Sequence, residues 1–168
     1  HHLELHAFPT RRSSDLLQDS SGGSMVLEFT DGEVIVYENP NGVLTNSPEL
    51  PWHLSNLRNY VNLSPYMKET EINGITYKGI GFGSGYVGIP GDVTPPSRFV
   101  RISFLREFSN SVETEEEGVM LALHLVNTVD IPAGVSKREE SSTEAFESTQ
   151  WVTIRDNKKL KLYFRTYD

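Results

Sequence analysis

Two β-rich runs, Met25-Val26-Leu27-Glu28-Phe29 and Val34-Ile35-Val36-Tyr37, flank the tetrapeptide Thr30-Asp31-Gly32-Glu33. An Asp-Gly step between such runs favours positive φ at both central residues, the geometry of a two-residue β-hairpin. The rest of the pattern must be built around that pair. A further short strand is expected over residues 42–46, after the Asn39-Pro40-Asn41 turn and before Pro48. Leu50, Leu54, Leu57 and Val61 then recur at helical spacing, so residues 49–63 are expected to form an amphipathic helix. A second helix is expected over residues 98–108, with Phe99, Ile102 and Leu105 along one side. A third is expected over residues 114–129, where Glu115, Glu116 and Glu117 suit the positive end of the helix dipole. Residues 150–155 and 160–167 read as a closing hairpin. Strands, then helices, then strands favour an α+β fold over a parallel doubly wound sheet.

Two stretches read as irregular. Residues 64–97 carry Gly79, Gly81, Gly83, Gly85, Gly88 and Gly91 among Pro90, Pro95 and Pro96, and are expected to form a long loop. A loop of that length in a compact domain generally serves a site. Residues 136–148 read as a solvated loop. Residues 1–18 are set aside as a disordered leader, because Phe8 to Leu16 looks like the translation of a sequencing adapter. The domain is then expected to span residues 19–168.

Composition removes several function classes. The formal net charge of −8 argues against a nucleic-acid partner, which needs clustered Lys and Arg, and against an anionic membrane. No apolar run approaches the roughly 20 residues that span a bilayer. The absence of cysteine removes disulfides and thiolate metal sites and leaves the compartment open. No cofactor and no metal is expected.

Several residues invite a chemical reading. Gly83-Ser84-Gly85-Tyr86-Val87-Gly88 satisfies G-x-G-x-x-G, but Pro90 and Gly91 follow at once, with no helix to receive a pyrophosphate. It reads as a loop. His53 reads as a helix-border residue and His124 as part of the third helix, neither with a partner at metal spacing. Asp92 and Asp130 read as turn formers. Asn46 is a stronger candidate. Its side-chain amide, carried on rigid backbone, could serve as an oxyanion-hole donor, although the local sequence alone favours a side chain that caps the turn before Pro48. Arg98 at a helix start opposes the dipole, which hints at a tertiary partner; a plain surface arginine is the alternative.

Taken in order, several runs resemble the choloylglycine hydrolase family, which includes conjugated bile salt hydrolases and penicillin V acylases. These are residues 19–24, Asn39-Pro40 with residues 42–48, Trp52-His53-Leu54-Ser55-Asn56-Leu57 and Gly91-Asp92 with Arg98-Phe99-Val100-Arg101. The match continues through residues 129–135 to Tyr163-Phe164-Arg165-Thr166-Tyr167. The resemblance implies a four-layer αββα sandwich of the N-terminal nucleophile hydrolases. It implies cleavage of linear amides by a terminal cysteine, with a side-chain amide at the oxyanion and an arginine near the nucleophile. By motif position Asn46 corresponds to that donor and Arg98 to that arginine.

With no cysteine present, the chain is expected to be the C-terminal portion of such a hydrolase, lacking the N-terminal half and inactive alone. Its partner would be a small-molecule amide substrate (a bile salt conjugate, penicillin V or an N-acyl homoserine lactone). A homotetramer of the full-length protein is implied only through the family. The alternative is a non-catalytic α+β binding module or a pseudoenzyme.

Overall fold

The computed structural model describes residues 3–6, 14–19, 21–139 and 144–167. In chain order the elements are β1 (Leu3–His6), β2 (Ser14–Gln18), β3 (Ser24–Thr30), β4 (Glu33–Glu38), α1 (Leu50–Asn56), β5 (Glu69–Ile72) and β6 (Ile75–Lys78). They continue with α2 (Pro95–Phe108), α3 (Glu115–Asn127), β7 (Ser136–Glu139), β8 (Glu144–Glu147), β9 (Trp151–Asp156) and β10 (Lys161–Thr166). The mixture is α+β, as the order of apolar runs implied.

The expected first hairpin is present as β3–β4, closed by Asp31 at φ 52° and Gly32 at φ 84°. β2 pairs antiparallel with the other edge of β3, and Leu16 on β2 is buried in the core. Disorder does not describe residues 14–18, because Leu16 buries its side chain and the strand completes the ladder of β3. A second sheet has the order β1-β9-β10 and contains the expected closing hairpin.

Helices cover one face of each of these two sheets. Leu16, Val26, Val43, Leu50, Phe99 and Ile102 form one core between the first sheet, α1 and α2, with Leu125 and Val129 from the α3 end against it. Ala122 and Val126 of α3 form a second core with Val152 and Ile154 of β9. The opposite face of the first sheet is also apolar. Leu17, Met25, Phe29, Val34 and Val36 alternate with the core residues along their strands and remain about half exposed, Phe29 at 52% and Val34 at 58%. Leu162 and Phe164 are exposed on β10 of the second sheet.

Four further expectations change. Residues 42–46 form no strand: the Asn39 side chain takes the Val43 carbonyl (Nδ2 to O, 3.2 Å) that a ladder would have used. The first helix ends at Asn56 and tightens into a 3₁₀ turn over Leu57–Tyr60, leaving Val61 exposed. The long loop contains the β5–β6 hairpin, turned at Asn73 and Gly74, both at positive φ. Gly85 closes the base of this arm, where a Cβ would collide with the carbonyls of Ser64 and Tyr66, while Gly83 and Gly88 of the same G-x-G-x-x-G run take positive φ (89° and 97°) in open turns. Residues 136–148 contain the β7–β8 hairpin instead of an unbroken loop.

α3 is secured at its start. Thr114 and Glu117 form a capping box, each side chain bonding the other's backbone N–H. The adjacent Glu115 is buried and accepts hydrogen bonds from Lys159, Lys161 (2.7 Å) and the Tyr163 hydroxyl, tying the helix to the β9–β10 turn. These donors hold its carboxyl down at about 2 from an ordinary 4.5. A depressed carboxyl stabilises the fold above its unfolded-state pKa and loses that contribution as pH falls through the folded value. The thermal-melt difference between wild type and Glu115→Gln is thus expected to be widest near neutrality and to close between pH 4.5 and about 2. A difference that persists undiminished at pH 2 would contradict this role.

Candidate functional site

Asn46 and Arg98, far apart in sequence, meet. Arg98 Nη2 donates to Asn46 Oδ1 at 2.7 Å, and Arg98 Nε donates to the Val93 carbonyl at 3.1 Å. A guanidinium has donors only, so the Asn46 atom that faces it must be the oxygen. That assignment turns the Asn46 amide nitrogen the other way. Among the described residues, none takes a hydrogen bond from it.

The start of α2 explains how Arg98 reaches this position. The helix begins at Pro95, three residues earlier than expected, with prolines at its first positions, where no N–H is missed. Arg98 consequently sits in the second half of the first turn, and its N–H is satisfied by the Thr94 carbonyl. Asp92 organises the turn before it. Its carboxylate accepts from the Thr94 N–H (2.9 Å), the Thr94 hydroxyl (2.5 Å) and the Ser97 hydroxyl (2.6 Å), which hold it down at about 2. Arg101, one turn along, is buried and donates to the carbonyls of Pro90, Asp92 and Thr128. Arg98 is thereby aimed from a backbone held on both sides. Burial lowers the pKa of both arginines, but from so high a value that each stays charged at neutral pH.

Sequence reasoning placed His53 at a helix border, and the structure buries it at 1% exposure. Its ring stacks on Phe99 (centroids 4.9 Å apart) and meets Trp52 edge-on. His53 Nε2 lies 2.9 Å from the Asn46 carbonyl oxygen. The available signal was spacing: His53 stands three residues from Leu50 and four from Leu57, on the inward stripe. Glu28, read simply as part of a strand, is buried too, and its Oε1 accepts the Leu50 N–H at 3.0 Å. Burial pushes its carboxyl upward against that hydrogen bond.

His124 is an exposed residue of α3. Asp130 accepts from Arg165 Nη2 at 2.8 Å and takes no part in the site. No group of three or more His, Asp or Glu among the described residues is arranged to hold a metal. No helix among them is long and apolar enough to cross a membrane.

The arrangement presents a fixed amide donor beside a fixed cation, which suits a carbonyl oxygen gaining negative charge. The chain is 33% identical over 154 residues to a bile salt hydrolase/transferase of Clostridium perfringens, covering 91% of this chain and 46% of that protein. It is 27% identical over 163 residues to a penicillin V acylase of Pectobacterium atrosepticum, covering 37% of that protein. A crystal structure of a conjugated bile acid hydrolase variant from Clostridium perfringens superposes with a TM-score of 0.75 at 34% identity, over 90% of this chain and 46% of that one. The chain thus spans less than half the length of these relatives. The model of the linear amide C–N hydrolases of the choloylglycine hydrolase family matches residues 14–168, and the chain belongs to that family.

Proposed function

We propose that this chain is the donor-bearing portion of a hydrolase of linear amides, acting on conjugated bile salts or penicillin V, and that it is inactive alone. The observation that carries this reading is the Arg98–Asn46 hydrogen bond, which leaves the Asn46 amide N–H available to an oxyanion. Attack on the amide carbon pushes charge onto the carbonyl oxygen. Asn46 Nδ2 would donate to that oxygen, while Arg98 holds the amide in register and adds positive potential. The attacking group is not among the residues of this chain, which has no cysteine. It would be supplied by a first half with a terminal cysteine, as the family resemblance implies.

The exposed apolar sheet faces support the same division. Leu17, Met25, Phe29, Val34 and Val36 form the kind of contiguous surface that another layer covers. A second sheet stacked there, with its own helices outside, would complete a four-layer αββα sandwich. The β5–β6 arm, with exposed Ile72, Ile75, Tyr77, Ile80 and Phe82, would suit contacts within a homotetramer of the full-length protein.

Glycine release from glycocholate, and release of the acyl acid from penicillin V, test the reading. The chain alone is expected to release neither, and the same chain continued upstream by a cysteine-initiated half is expected to release at least one. Hydrolysis by the chain alone, or none by the completed protein, would overturn it. The second outcome would favour a non-catalytic binding module.

A further inference from the structure

The backbone that carries Asn46 is held from inside by three buried polar side chains. Asn39 (3% exposed) donates to the Val43 carbonyl, His53 (1%) is bonded to the Asn46 carbonyl, and Glu28 (5%) accepts the Leu50 N–H. They come from the end of β4, from α1 and from β3, so three elements converge on residues 43–50. Each also keeps one polar atom (Asn39 Oδ1, His53 Nδ1, Glu28 Oε2) without a hydrogen-bond partner among the described residues. Leaving such atoms unsatisfied is costly, and apolar side chains would fill these places more cheaply if packing were their only purpose.

We propose that His53 is a positioning residue: its Nε2–H, given to the Asn46 carbonyl, fixes the segment from which the Asn46 amide is presented. The acceptor determines the tautomer. A backbone carbonyl accepts only, so the proton must sit on Nε2 and the bare nitrogen is Nδ1. Stacking on Phe99 and the edge contact with Trp52 hold the ring plane, so the donor cannot swing away. Arg98 then sets the Asn46 side chain from outside while His53 sets its main chain from inside. The consequence for catalysis rests on the amide-hydrolase reading above; the positioning itself does not.

The test compares His53→Gln, whose Nε2 amide can replace the donor, with His53→Leu, which fills the space without one. Nitrogen NMR of the whole chain is expected to show the His53 proton on Nε2. The Asn46 side-chain amide is expected to keep its own shift pair in wild type and His53→Gln and to collapse toward the solvent-averaged position in His53→Leu. In the cysteine-completed protein, His53→Leu is expected to lower kcat by about tenfold to a hundredfold with KM little changed, and His53→Gln to recover most of it. A proton on Nδ1, or an Asn46 amide released equally in folded His53→Gln, overturns the proposal. Should His53→Leu not fold, the wild-type tautomer and His53→Gln decide between those results. If the Asn46 amide responds as expected while the completed protein cleaves no amide, positioning stands and the hydrolase reading fails.

Discussion

Truncating Phe99 to alanine is expected to lower the unfolding free energy by about 3–5 kcal/mol, among the largest losses available to a single substitution here. Phe99 is 1% exposed and lies in the core formed with Leu16, Val26, Val43, Leu50 and Ile102. That core draws its buried side chains from β2, β3, α1 and α2, so a cavity there cannot be closed by the shift of one loop. The same ring stacks on His53, and the loss would extend to the Asn46 segment. Urea unfolding of wild type and Phe99→Ala, with the m-value unchanged, measures the difference. A cost below about 1 kcal/mol would show that the packing around α2 is not what holds this fold together.

The largest functional effect is expected at Asn46. In the cysteine-completed protein, Asn46→Ala should reduce kcat by about 10²–10³ with little change in KM, the signature of a donor used only as charge develops. Arg98→Met removes the group that fixes the amide, so it should reduce kcat in the same direction. The double variant separates the roles. If Arg98 acts through Asn46, the double loss will fall well short of the sum of the single losses in free energy. Full additivity would mean that Arg98 addresses the substrate or nucleophile independently. Asn46→Ala with unaltered kcat would remove Asn46 from the site altogether.

How much of this was legible in the sequence depends on the range of the forces involved. The β3–β4 hairpin was readable because Asp31-Gly32 carries its own turn chemistry. α3 was readable because its acids and its apolar spacing agree. The β5–β6 hairpin had an equally local signal in Asn73-Gly74, but its strands are four residues each and exposed on both faces, so alternation is confined to Ile75 and Tyr77 on β6. Residues 42–46 contain β-forming side chains, and the Asn39 side chain claimed their backbone instead. A strand needs a partner, and propensity alone does not supply one.

The candidate site divides in the same manner. Asn46 and Arg98 were each visible as residues of the right type, yet nothing local joined them across so long a span; family resemblance alone put them in one site. The 2.7 Å hydrogen bond is a tertiary fact. His53 and Glu28 were missed for a different reason. Pattern reading treats polar side chains as outward-facing, and these two are polar residues on inward positions, retained where they hold backbone.

The exposed apolar face of the first sheet, the absence of cysteine and the half-length match to relatives all lead to one measurement. The coding DNA upstream of Ser14 should be sequenced from the original source. An open frame continuing upstream by roughly the length of this chain, and beginning with a cysteine after the initiator or after a signal-cleavage site, is the expected result. A start shortly upstream with no cysteine would contradict it, leaving a scaffold that presents an amide donor with no nucleophile to use it.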